Sequence, residues 1–123
     1  MAHRILIVDG DELECHSLQT VLHAAGFEVV LATGEDAMER LDEREIHLVL
    51  TERCLPRTDG FSLLWCIKAD HPSVPVVVMT TDDAVASIVE AMRLGAEDYL
   101  VKPFDRATLL RTIERAIASG PWT

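Results

Sequence analysis

Aromatic side chains are scarce in this sequence, at 5%: one tyrosine, two tryptophans and three phenylalanines. Any core must therefore be aliphatic, within an apolar fraction of 49%. Positive charge is short as well. Against 21 acidic residues there are only 11 lysines and arginines, a net charge of −10. That balance excludes the basic footprint of a domain that grips nucleic acid or an anionic membrane by itself. Cysteine occurs three times, as Cys15, Cys54 and Cys66, an odd count at spacings that fit neither a disulfide framework nor a zinc module. Reduced thiols in the cytosol are the expectation. His3, His16, His23, His47 and His71 are scattered, and no second pair at ligand spacing completes a metal site beside Cys15 and His16. Long hydrophobic runs are missing too, so neither a membrane span nor a leader segment is expected, and the domain is placed in the cytoplasm.

Short apolar runs are what the chain does have. Arg4–Val8, Glu28–Ala32, Leu48–Thr51, Val76–Thr80 and Asp98–Val101 are rich in Val, Ile and Leu and mostly lack strand-like alternation. Such runs suit strands buried on both faces of a parallel sheet. Helical stripes lie between them: Leu18, Val21, Leu22 and Ala25; Ala84, Ile88, Ala91 and Met92; Leu109, Leu110, Ile113, Ala116 and Ile117. Gly26, Gly95 and Gly120 stand where helices should stop, and Asp59 and Asp105 where the third and fifth should start. The alternation predicts one α/β domain over residues 1–123, a doubly wound five-stranded parallel sheet in the order 2-1-3-4-5. Ser119–Thr123 reads as a helix end and tail, with Trp122 in the tail. Met38, Met79 and Met92 read as core filling. Trp65 falls off the inward face set by Leu63, Leu64 and Ile67, so it is expected outside. Arg40 and Arg44 sit among Glu39, Asp42, Glu43 and Glu45 and read as a solvated helix face.

Ligand sites in open parallel sheets form at the carboxyl ends of the strands. There the sequence places Asp9-Gly10-Asp11-Glu12, Thr51-Glu52, Thr80-Thr81 and Lys102-Pro103. Carboxylates hold a hard cation such as Mg²⁺. A central carboxylate can attack phosphorus, while a lysine and a hydroxyl hold the phosphoryl oxygens. No Walker loop and no GxGxxG follows the first run. A flavodoxin-like enzyme or cofactor binder would need a Ser/Thr/Gly-rich phosphate loop there, and the acidic Asp9–Glu12 stretch would repel phosphate.

At these residues the chain resembles the receiver domains of two-component response regulators. ILIVDGDE (Ile5–Glu12), LVLTERCLPRTDG (Leu48–Gly60), VVVMTT (Val76–Thr81) and AMRLGAEDYLVKPFD (Ala91–Asp105) follow the family pattern in order and spacing. The resemblance implies a flavodoxin-like (βα)5 receiver fold and a signalling module that is not an enzyme in its own right. It further implies Asp9 and Glu52 as ligands of a weakly held Mg²⁺, Thr80 as the switch hydroxyl, Tyr99 as the aromatic that turns inward on activation, Lys102 as the phosphoryl-contacting lysine, and a cis bond before Pro103. The implied partners are a histidine kinase and an effector domain or protein, with homodimers through the fourth and fifth helices. Two positions depart. The second acidic-pocket position is Gly10, and the phosphoacceptor position is Glu52. Glutamate carries its carboxylate about 1.5 Å further than aspartate, roughly one C–C bond. A misplacement of about 1 Å can cost roughly 100-fold in rate, and Gly10 removes a metal ligand as well. The expectation is a phosphorylation-independent receiver in which Glu52 pairs with Lys102, accepts a hydrogen bond from Thr80, and either partly mimics a phosphoryl group or merely neutralises the lysine. The competing expectation is a receiver that still accepts a phosphoryl group from a kinase or small phosphodonor.

Overall fold

The computed structural model describes residues 2–121; Trp122 and the last residue of the expected tail lie outside them. Five strands alternate with five helices: β1 (Arg4–Val8), α1 (Glu12–Ala24), β2 (Glu28–Ala32), α2 (Ala37–Glu43), β3 (Leu48–Glu52), α3 (Gly60–Asp70), β4 (Val76–Thr80), α4 (Val85–Arg93), β5 (Asp98–Val101) and α5 (Arg106–Ala118). The strands form one parallel sheet in the order β2-β1-β3-β4-β5. β3 runs one residue past the expected end, because Glu52 still pairs in register with Met79.

The apolar runs split between two faces with period two, as pleated strands must. Leu6, Val8, Val49, Val76 and Val78 pack on one side with buried residues of α2, α3 and α4. Ile5, Ile7, Leu48, Leu50, Val77 and Met79 pack on the other with α1 and α5. Covering both faces is why no run alternates apolar with polar.

Local chemistry sets the helix ends. Asp59 accepts from Phe61 N–H and Asp105 from Thr108 N–H, so both expected caps form, and Asp11 caps α1 by accepting from Leu13 and Glu14 N–H. Gly26 and Gly95 adopt φ of 93° and 103° just past α1 and α4, where a side chain would be strained.

Trp65 is 62% exposed, as its helical phase requires. Met92 is a correction: it is 45% exposed rather than in the core. α4 buries only Ala91, and Met92 lies on its outer side together with Val85 and Val89, which are also exposed. Ala25 and Ala84 are exposed as well, because they are the cap residues of α1 and α4 rather than part of a buried stripe. Met79 is buried and Met38 packs against the core.

These burials separate two substitutions in urea unfolding. Ile113→Ala, at a fully buried site, should lose about 2–5 kcal/mol. Trp65→Ala should stay within about 0.5 kcal/mol of the parent.

Candidate functional site

The chain leaves β1 toward β2 on one side of the sheet and β3 on the other. At that switch point the carboxyl ends of β1, β3 and β5 open onto one pocket, lined by Asp9, Gly10, Glu14, Glu52, Pro56 and Lys102 among others. Asp9 follows β1, Glu52 ends β3, and Lys102 follows β5.

The ammonium of Lys102 donates to Glu52 Oε2, making the expected ion pair. It also contacts a second carboxylate, Glu14 Oε1. The strand-end reading missed Glu14, which enters from the first turn of α1. The signal was present in the cap. With Asp11 as N-cap, Glu14 occupies the third helical position, where a glutamate usually reaches back to the cap residue's own N–H. Here that N–H donates instead to Asp9 Oδ1 at 2.9 Å, which leaves the Glu14 carboxylate free to turn toward Lys102. Asp11 is committed to capping, so it does not replace the acid absent at position 10.

One carboxylate oxygen each from Asp9, Glu14 and Glu52 lies within 4.8 Å of the others. Asp9 is only 6% exposed, and its Oδ2 is buried without a hydrogen-bond partner. Burial raises the Asp9 pKa; the bond from Asp11 N–H opposes the rise, and the nearby Glu14 charge adds to it. Burial also raises the Glu52 pKa, and the Lys102 bond offsets this only in part. For Lys102, burial acts downward, but hydrogen bonds to Glu14 and Glu52 outweigh it and the net shift is upward. Two causes combine in all three shifts: burial disfavours each charged form, and three carboxylates share one ammonium.

Gly10 is held to a small residue by its surroundings. A Cβ at this position would stand 2.7 Å from both Cδ and Cγ of Pro56. The rigid proline ring occupies the space that a side chain would need.

Thr80 is buried at the end of β4, between β3 and β5. Its hydroxyl accepts from Asp82 N–H at 3.1 Å. The expected bond from Thr80 to Glu52 is not made among the described residues; the hydroxyl is turned to the β4–α4 loop, and Lys102 takes the Glu52 oxygen. Tyr99 is half-buried against the core, and its hydroxyl donates to Asp82 O at 2.9 Å. Asp82 thus binds both Thr80 and Tyr99 through its backbone. Its carboxylate accepts from Ser87 at 2.6 Å and pairs with Arg53 at 2.5 Å. Arg53 follows Glu52 directly and lies 4.5 Å over the Phe61 ring, an arrangement that a reading of strand ends has no means of finding. The Lys102–Pro103 bond is cis, and Lys102 N–H donates to Thr80 O at 2.8 Å.

The fold is a doubly wound five-stranded sheet of the flavodoxin-like receiver type, with carboxylates, a buried hydroxyl and a lysine at the carboxyl ends of its strands. Residues 5–114 match the response regulator receiver domain, and the chain belongs to that family. It is 43% identical over 115 residues to the transcriptional regulatory protein ZraR of Escherichia coli O157:H7, an alignment covering 93% of this chain and 26% of that protein. Among solved structures it is similar to NtrX of Brucella abortus (TM-score 0.90, 33% identity, covering 97% of this chain and 27% of that one). It is also similar to the chemotaxis protein CheY4 of Vibrio cholerae (TM-score 0.90, 25% identity, 94% and 99% covered). The chain spans about a quarter of the curated relatives it matches. Receiver domains bind Mg²⁺ at an acidic pocket, and the orphaned Asp9 oxygen together with the all-oxygen donor set here fits a hard cation.

Two outcomes follow from the pocket geometry. Gly10→Asp should unfold at lower denaturant by about 1–3 kcal/mol, the usual cost of overpacking, and Pro56→Ala in the same chain should restore most of the loss. Burial, with Asp9 and the other nearby acids, pushes the Cys15 thiol up to about 11, whereas Cys54 and Cys66 are exposed. Iodoacetamide at pH 8 should therefore label Cys54 and Cys66 but leave Cys15 unmodified until the protein unfolds, since roughly one Cys15 in a thousand is then thiolate.

Proposed function

We propose that this receiver domain is a phosphorylation-independent regulatory and interaction module, with Glu52 as a resident carboxylate in the phosphoacceptor position. The observation that carries the reading is the double pairing of Lys102 with Glu52 and Glu14. The ammonium that would stabilise an incoming phosphoryl oxygen already holds two carboxylates. A phosphodonor would have to break both contacts, and it would meet a nucleophile displaced by one methylene. Mg²⁺ would bind weakly beside Asp9 and Glu52 while the ammonium stays in place.

The half-buried position of Tyr99, anchored on Asp82, favours partial mimicry of an activated receiver over a merely neutralised pocket. The push is incomplete because Glu52 brings one negative charge where a phosphoryl group brings about two. The readers of this state are a histidine kinase and an effector domain or protein. The match to a transcriptional regulatory protein favours an output in transcription. Val85, Val89 and Met92, exposed on α4, suit a homodimer through α4 and α5. Among the described residues no helix is long and apolar enough to cross a membrane, which accords with a place in the cytoplasm.

Incubation with Mg²⁺ and acetyl phosphate, followed by intact-mass measurement, tests the reading. The expected product is the unmodified mass. A near-stoichiometric phosphoryl adduct would establish the competing reading of a working receiver. Glu52→Gln keeps shape and removes charge. It should move the Tyr99 ring resonances toward those of a solvent-exposed tyrosine and weaken self-association or partner binding severalfold; unchanged Tyr99 and unchanged association would eliminate mimicry.

A further inference from the structure

We infer that Glu14, on the first turn of α1, is the third carboxylate of a divalent-cation site with Asp9 and Glu52, and that the cation and the Lys102 ammonium compete for it. The inference deepens the reading above, on which its regulatory meaning rests: a cation, rather than a phosphoryl group, resets this pocket. The binding claim stands independently on geometry.

Two separate observations support it. The first is the convergence of the three acids, with ligand-type oxygens within 4.8 Å of one another. An octahedral Mg²⁺ spans about 4.2 Å between opposite oxygens and a Ca²⁺ about 4.8 Å, twice the respective bond lengths. The oxygens therefore already stand at the scale of one cation's shell. The second is Asp9 Oδ2, buried without a partner in a residue that is 6% exposed. Buried carboxylate oxygens are ordinarily bonded or bound to metal. Lys102 satisfies Glu14 and Glu52 and leaves this oxygen unserved.

The charge count agrees. Three carboxylates against one ammonium leave the pocket at net minus two, which a divalent cation cancels if the ammonium stays nearby; with the ammonium released, the three carboxylates and the cation leave net minus one. The cation must take the oxygens that Lys102 now holds, so binding should free the ammonium. Gly10 and Pro56 make the substitution of ligand specific. The usual second acid has no room beside the proline ring, and α1 supplies the missing carboxylate because the Asp11 N–H is bonded to Asp9 and not to Glu14.

The test is calorimetric titration of the intact chain with Mg²⁺ and Mn²⁺, with Mn²⁺ broadening of the Lys102 and Asp9 NMR signals as a second readout. Glu14→Gln should bind at least about tenfold more weakly than the parent. Lys102→Met, lacking the competitor, should bind more tightly by a similar factor. Glu12→Gln removes the same charge two residues away, outside the cluster, and should change affinity less than about twofold. Circular dichroism melts show that each variant is folded. Equal effects of Glu14→Gln and Glu12→Gln would reduce Glu14 to background charge and overturn the inference, as would a parent chain that binds neither ion at millimolar concentration. Phosphoryl labelling by acetyl phosphate would overturn the proposed function while leaving the cation site standing, so the two failures are distinguishable.

Discussion

The Lys102 ammonium, shared between Glu52 and Glu14, is the interaction on which the state of the pocket depends. It joins the end of β3 to the residue after β5 and to the first turn of α1. Breaking either contact leaves a part-buried carboxylate without its counter-charge, which costs more than an intact pair gains. The Lys102 charge is therefore committed to the pocket's own side chains, and whatever frees it must supply comparable positive charge to the acids or comparable negative charge to the lysine.

A second layer fixes the surroundings. Asp82 gathers Thr80 and Tyr99 through its backbone, and Arg53 and Ser87 through its carboxylate. Hydrogen bonds from Ser87 and Ala84, with the Arg53 charge, hold the Asp82 carboxyl below the usual aspartate range. The stability it contributes is present above the ordinary aspartate pKa and is lost as pH falls through the lowered value. Because Arg53 is the next residue after Glu52, the pocket and the β4–α4 loop are joined by a single peptide unit. A change at Glu52 has a short physical route to Tyr99.

Much of this was legible in the sequence, for identifiable reasons. Apolar runs buried on both faces mark parallel strands, and their ends mark where polar side chains converge, so the meeting of Asp9, Glu52 and Lys102 in one pocket was legible without contacts, whereas the turn of the Thr80 hydroxyl toward Asp82 was not. Asp59 and Asp105 were found because a cap needs only its own side chain and the next turn. Glu14 escaped because its direction depends on where the Asp11 N–H goes, a choice made by Asp9. The role of Gly10 escaped because Pro56 lies on a different loop, and sequence spacing does not report which loops touch. Met92 was misplaced because an apolar residue at helical spacing carries no mark of how narrow a face the helix buries; α4 buries one alanine.

The most direct test of the account is ¹⁵N NMR of the Lys102 side chain in the unphosphorylated, metal-free protein. A hydrogen-bonded ammonium, slow to exchange with water and coupled to the carboxylate carbons of both Glu14 and Glu52, is the predicted result. A freely rotating, rapidly exchanging ammonium with no coupling to either carboxylate would contradict it, because Lys102 would then be uncommitted and available to a phosphoryl group.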